Sequence, residues 1–152
     1  MNDLLNAVRE VLLEGLDSAV YRAADIYIAV AEDDPPVGMG FPAVGIKDGG
    51  ETVSQQSCNV DDVTQRVKLV LWAAKSAGSG QVQGDATQPG VLGTEKDVER
   101  ALRYKPLPLR GEPFGFKVAS SASEQLVSAA GRIVQQKIVT FEFLRERQWD
   151  TS

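Results

Sequence analysis

Histidine is missing from this chain altogether, and Cys58 is its single cysteine. The first absence removes the commonest acid-base group near neutral pH, the usual base of nucleophilic triads and the commonest metal ligand. The second excludes an intrachain disulfide and a cysteine-rich metal site, and it suits a reducing compartment. No stretch approaches the roughly 18 consecutive apolar residues that a membrane-spanning helix needs. The opening residues, Met1 to Leu16, carry Asp3, Arg9, Glu10 and Glu14 among the apolar ones, unlike the apolar core of a signal peptide. Clustered cations are also scarce: 16 Lys and Arg stand against 21 Asp and Glu, for a formal net charge of -5. A chain that binds nucleic acid by releasing counterions needs such clusters, and anionic lipid would be repelled. The expectation is a cytoplasmically made protein with no specific nucleic-acid binding and no membrane partner.

The 152 residues that are present, 43% hydrophobic and 24% charged, have the composition of a folded globular chain. A domain of this length buries roughly two-thirds of its unfolded surface. We expect one domain over residues 1–145 and a polar C-terminal tail over residues 146–152.

Leu4, Leu5, Val8, Val11, Leu12 and Leu16 follow helical spacing and predict an amphipathic helix that ends near Gly15. Alternation predicts strands over Ala24 to Val30 and Phe41 to Lys47, the latter with Val44 and Ile46 on one face. Between them, the prolines and glycines from Glu32 to Gly40 predict an exposed acidic loop. Asp48-Gly49-Gly50 suits a turn, and the polar stretch Glu51 to Asn59 has no buried face, which predicts an arm reaching beyond the core.

Thr64 to Ala73 carries the clearest strand pattern, with Val67, Leu69 and Leu71 facing one way and Arg66, Lys68, Val70 and Trp72 the other. It should pair with Phe41 to Lys47 in a long hairpin. A short helix beginning near Thr94 and stopped by Pro106 and Pro108 follows. Phe114, Phe116 and Val118 alternate, and a last strand runs from Arg132 to Arg145 with Val139, Phe141 and Phe143 on one face. The fold class expected is α+β, a mostly antiparallel (mixed) sheet of about five strands covered by two helices, with an extended β-hairpin arm.

Catalytic, cofactor-binding and metal-ligating residues are all expected to be absent. Gly78-Ser79-Gly80 with Gly84 lacks the Gly-Lys-Ser/Thr sequence and the helix start that would organise a phosphate site, so it reads as a loop. The pairs Asp33-Asp34 and Asp61-Asp62 lack the alternating spacing of a calcium loop. Cys58 has no histidine to activate it and reads as a structural or interface residue. The candidate functional residues are therefore subunit contacts: Glu51, Val53, Gln55, Gln56 and Cys58 in the arm, and Trp149 in the tail.

Several phrases carry a resemblance. They are the leucine-rich opening helix, Phe41-Pro42-Ala43-Val44-Gly45-Ile46-Lys47-Asp48-Gly49-Gly50-Glu51, Arg66-Val67-Lys68-Leu69-Val70-Leu71-Trp72, the helix after Gly90-Val91-Leu92-Gly93, and Ile138-Val139-Thr140-Phe141-Glu142-Phe143. In this order the chain resembles the phage tail terminator family of tail-to-head joining proteins. The resemblance implies a structural virion protein of a phage or prophage, with no substrate and no cofactor. It would form a homo-oligomeric ring, commonly a hexamer, at the head-proximal end of the tail. The implied partners are other copies of itself, the tail tube protein and a head completion or connector protein. The alternatives are another head-tail connector or neck protein, and a small carboxylate-based enzyme or ligand-binding domain.

Overall fold

A computed structural model describes residues 2–29, 40–74, 90–127 and 133–148. Helix α1 spans Asn2–Gly15, a single 3-10 turn covers Ala23–Asp25, and strands β1 (Ile26–Ile28), β2 (Ala43–Ser57) and β3 (Val60–Ala74) follow. Helix α2 (Val91–Leu102) then leads to β4 (Gly115–Ser120), β5 (Glu124–Val127) and β6 (Ile133–Gln148). The sheet order is β1-β2-β3-β6-β4, with β5 also pairing β6. All pairs are antiparallel except β1 with β2.

The hydrophobic pattern explains the layers. The leucine face of α1 and Val98, Ala101 and Leu102 of α2 are buried against Val44, Ile46, Val67, Leu69, Leu71, Val139, Phe141 and Phe143. The side chains expected to share a face do share it, as the period of two requires. Gly15 lets the helices approach closely: a Cβ there would lie 2.8 Å from the Ala101 Cβ. Arg9 locks α1 to the sheet edge by donating to the carbonyls of Ile26 (2.8 Å) and Ala23 (3.2 Å).

A smaller cluster lies on the opposite face: Ala43, Val70, Trp72 and Val134, with Tyr27, Phe41, Leu126 and Ile138 against it. Trp72 has no exposed surface, and its indole N–H donates to the Tyr27 hydroxyl at 2.9 Å.

Several boundaries differ from the sequence reading. β1 is confined to Ile26–Ile28 and runs parallel to β2, a pairing that a tight hairpin between the two strands cannot produce. α2 begins at Val91, capped by the extended Gly90, ahead of the Thr94 signal. β5 arises from a stretch without a clear pattern and brings the sheet to six strands. Val118 falls at a register shift between Lys117 and Ala119 and is exposed, as is Phe114, so that alternating run does not form a buried face.

Gly115 is required where β4 crosses Phe143, since a Cβ there would lie 2.5 Å from the ring. Gly115→Val is expected to cost about 1–3 kcal/mol of stability by overpacking, measured by chemical denaturation. A variant as stable as the parent would contradict the close packing.

A candidate assembly interface

Strand length creates the site. β2 and β3 have 15 residues each and β6 has 16, which at the usual rise makes them about 50 Å long. α1, with 14 residues, covers only about 21 Å. One end of the central sheet therefore overruns its helices. It forms an arm of three strands from residues 51–57, 60–64 and 144–148, closed at the tip by the turn at Cys58 and Asn59. The arm leaves the core at a bulge between Asp48 and Glu51, where Gly50 takes a positive φ of 92° and the Asp48 carboxylate accepts its amide at 2.7 Å.

The core face of the sheet continues into the arm with different chemistry. Along β6, Phe141 and Phe143 give way to Arg145 and Arg147 on the same face; along β3, Val67 gives way to Gln65 and Val63. Gln65 is 2% exposed, and its carbonyl accepts from Arg145 at 3.0 Å. Its amide donates to Glu51 at 3.2 Å, and Arg147 donates to the same carboxylate at 3.1 Å. Arg145 also reaches Asp3 at the start of α1, at 3.3 Å. This chain of contacts ties the first turn of α1 to the root of the arm and sets its direction.

Hydrogen bonds from Gln65 and Arg147 hold the Glu51 carboxyl below its ordinary value. Partial burial opposes ionisation of Asp3, but the Leu4 amide and Arg145 together bring its carboxyl below the ordinary value as well. The brace is thus complete above the usual carboxylate range, near pH 4. It is lost as pH falls through the lowered values. The side-chain amide resonances of Gln65 should titrate with a midpoint below the free-glutamate value of about 4.3; a midpoint at or above it would show that the brace does not form.

Among the described residues, no strand pairs with the outer side of β2 along residues 51–57, because β1 reaches only Ile46. None pairs with the outer side of β6 beyond Phe143, where β4 ends. Among the described residues the arm therefore has two open edges. Where β6 passes the loop around Arg110, Gly111 and Pro113 lies a groove of about 620 Å³, lined also by Asp62, Val63 and Thr64 of β3 and by Leu144 (57% exposed), Arg145 and Glu146 of β6.

Of the residues expected to make subunit contacts, Glu51, Val53 and Gln55 lie on the β2 half of the arm and are exposed, and Cys58 is exposed at the tip. Gln56 lies in β2 as well. Glu51 is also engaged within its own chain, by Gln65 and Arg147. Trp149, Asp33-Asp34 and the Gly78 to Gly84 segment lie outside the described residues. Asp61 and Asp62 point to opposite faces of β3, opposite Arg147 and Glu146 of β6. Sequence reasoning missed Leu144, Arg110 and the arginines of β6. The available signal was the change from Phe to Arg at every second position after Phe143, which marks where the core face ends.

Two other polar groups serve the scaffold. Glu99, helped by Glu95, holds the Lys117 ammonium above its ordinary value despite partial burial, and Lys137 lies 3.7 Å from Glu95, so these ions pin α2 to β4 and β6. The Tyr21 hydroxyl is pushed well up by burial and by donating to Asp97 at 2.6 Å, which fastens the segment after α1 to α2. Among the described residues no group of His, Cys, Asp and Glu has the arrangement of a metal site, and no helix is long and apolar enough to cross a membrane.

No family model matches the chain, and no curated protein matches it in sequence. Among solved structures, a chain of the virion of a native gene transfer agent (GTA) particle aligns over 93% of both chains, with a TM-score of 0.56 and 17% identity. The two chains share a fold. The alignment spans nearly the whole of each.

Proposed function

We propose that this protein is a structural virion subunit of the tail-terminator type. It forms a ring on the finished tail tube, stops tube growth and joins the tail to the head. The observation that carries this reading is the three-stranded arm with one open edge on each side, on a fold shared over nearly its full length with a chain of a gene transfer agent particle. A ring needs two different, complementary patches on each subunit, and an arm with distinct edges supplies them. The chemistry required is adhesion without turnover, which fits a chain lacking histidine. The net charge of -5 fits a collar through which DNA must slide without being gripped. The implied partners are copies of itself, probed first for a hexamer, then the tail tube protein and a head completion protein.

Purified protein should cap tail tubes of its own phage, halting their elongation, and light scattering coupled to sizing should find a ring alone or on tubes. Tubes that elongate unchecked in its presence would reject the terminator role. Binding instead to the portal side of filled heads would assign it to the neck.

A further inference from the structure

We infer that the groove beside the open edge of β6 receives the β2 edge of a second copy, as an added strand running parallel to β6. The inference rests on the ring reading and specifies how one subunit holds the next. An exposed strand edge presents unpaired amides and carbonyls, and main-chain pairing with another strand satisfies them. Residues 51–57 offer such an edge, with side chains exposed at Glu51, Thr52, Val53, Ser54, Gln55 and Ser57. The β6 edge offers the matching one, with the groove of about 620 Å³ giving room for a short extended segment beside Leu144.

Charge disfavours the meeting of two β2 edges. From Asp48 to Ser57 the β2 edge carries Asp48 and Glu51 and no cation. The groove is lined by Arg110 and Arg145 together with Asp62 and Glu146. Two β2 edges would bring carboxylates together with no cation from that stretch between them, whereas the groove beside β6 offers Arg110 and Arg145 next to its two acids. Topology supplies the direction. β2 and β6 both run antiparallel to β3, so they are parallel to each other. Copies related by rotation about an axis along the arms keep that direction, and the β2 of one lies parallel to the β6 of the next. The arms then form one continuous sheet around the ring, and neither edge stays open.

Two variants test this by mixing. Val53→Arg, at an exposed side chain, replaces a compact apolar residue of the β2 edge with a long charged one that an added strand would have to accommodate. Leu144→Arg, also at an exposed side chain, fills the groove. Circular dichroism and melting temperature close to those of the parent establish that each is folded; if either melts early, Gln55→Arg or Thr64→Arg replaces it. Each variant alone is expected to assemble at least tenfold more weakly than the parent. Mixed, they retain one intact edge and one intact groove between them, so they should form a one-to-one dimer that grows no further. Rings that form normally from either variant would overturn the strand addition while leaving tube capping standing. So would a Leu144→Arg variant that dimerises alone, which signals a contact between like edges. A parent that stays monomeric alone and on tubes overturns both readings.

Discussion

Trp72→Ala is expected to cost about 3–5 kcal/mol and to lower the melting temperature by about 10 °C or more. The indole has no exposed surface although it sits on the sheet face opposite the helices. Its removal leaves a cavity that Ala43, Val70 and Val134 cannot close from within paired strands. It also takes away the donor to the Tyr27 hydroxyl, a half-buried group whose ionisation is opposed by that burial. Trp72→Phe should restore most of the volume and recover more than half of the loss, leaving about 1 kcal/mol for the hydrogen bond. Denaturant unfolding of the three proteins checks this, and a loss under 1 kcal/mol for alanine would mean that the second face is not a packed layer.

Phe141→Ala is expected to cost a similar amount, about 3–5 kcal/mol, for a different reason. Phe141 is fully buried on the helix side, stacked on Phe143 with ring centroids 6.5 Å apart, and both helices close over that face. The cavity would lie between layers, where α2 can settle inward only by disturbing the ion pairs from its Glu95 and Glu99 to β4 and β6. Phe141→Leu, which keeps most of the apolar volume, should cost less than half as much. Because Phe141 lies one core position inward of the arm, its loss should lower stability and leave assembly per folded molecule unchanged. Val53→Arg should do the reverse. A Phe141→Ala protein that is folded yet unable to assemble would show that the arm and the core are not separable in this way.

That separation follows from how the strands are built. The long strands change character where the arm begins: in β6, Phe141 and Phe143 precede Arg145 and Arg147, and in β3 the polar Gln65 sits between Val63 and Val67. The inner halves are held by apolar burial and the outer halves by a polar brace. Surface ion pairs such as Arg147 with Glu51 contribute little stability individually. The value of the brace is directional, since Gln65, nearly fully buried, accepts from Arg145 and donates to Glu51 and so links all three strands at the root of the arm.

Much of this was legible in the residue order. The leucine spacing of α1, the alternation of Val67, Leu69 and Leu71, and that of Val139, Phe141 and Phe143 correspond to faces that must be buried together, so helix, strand and core follow from periodicity. The absence of a buried face from Glu51 to Asn59 likewise identified the arm, because a strand with no apolar side has no reason to stay under a helix. The parallel pairing of β1, the short strand β5 and the groove beside Leu144 were not legible. Parallel pairing depends on the path of a long connection, β5 on the chance presence of a free β6 edge, and the groove on a loop that approaches from elsewhere in the chain. Local pattern therefore decided which residues are inside, since burial depends on side-chain period. Which edges remain open was decided by tertiary folding, because an edge is free only when every other strand has taken its place.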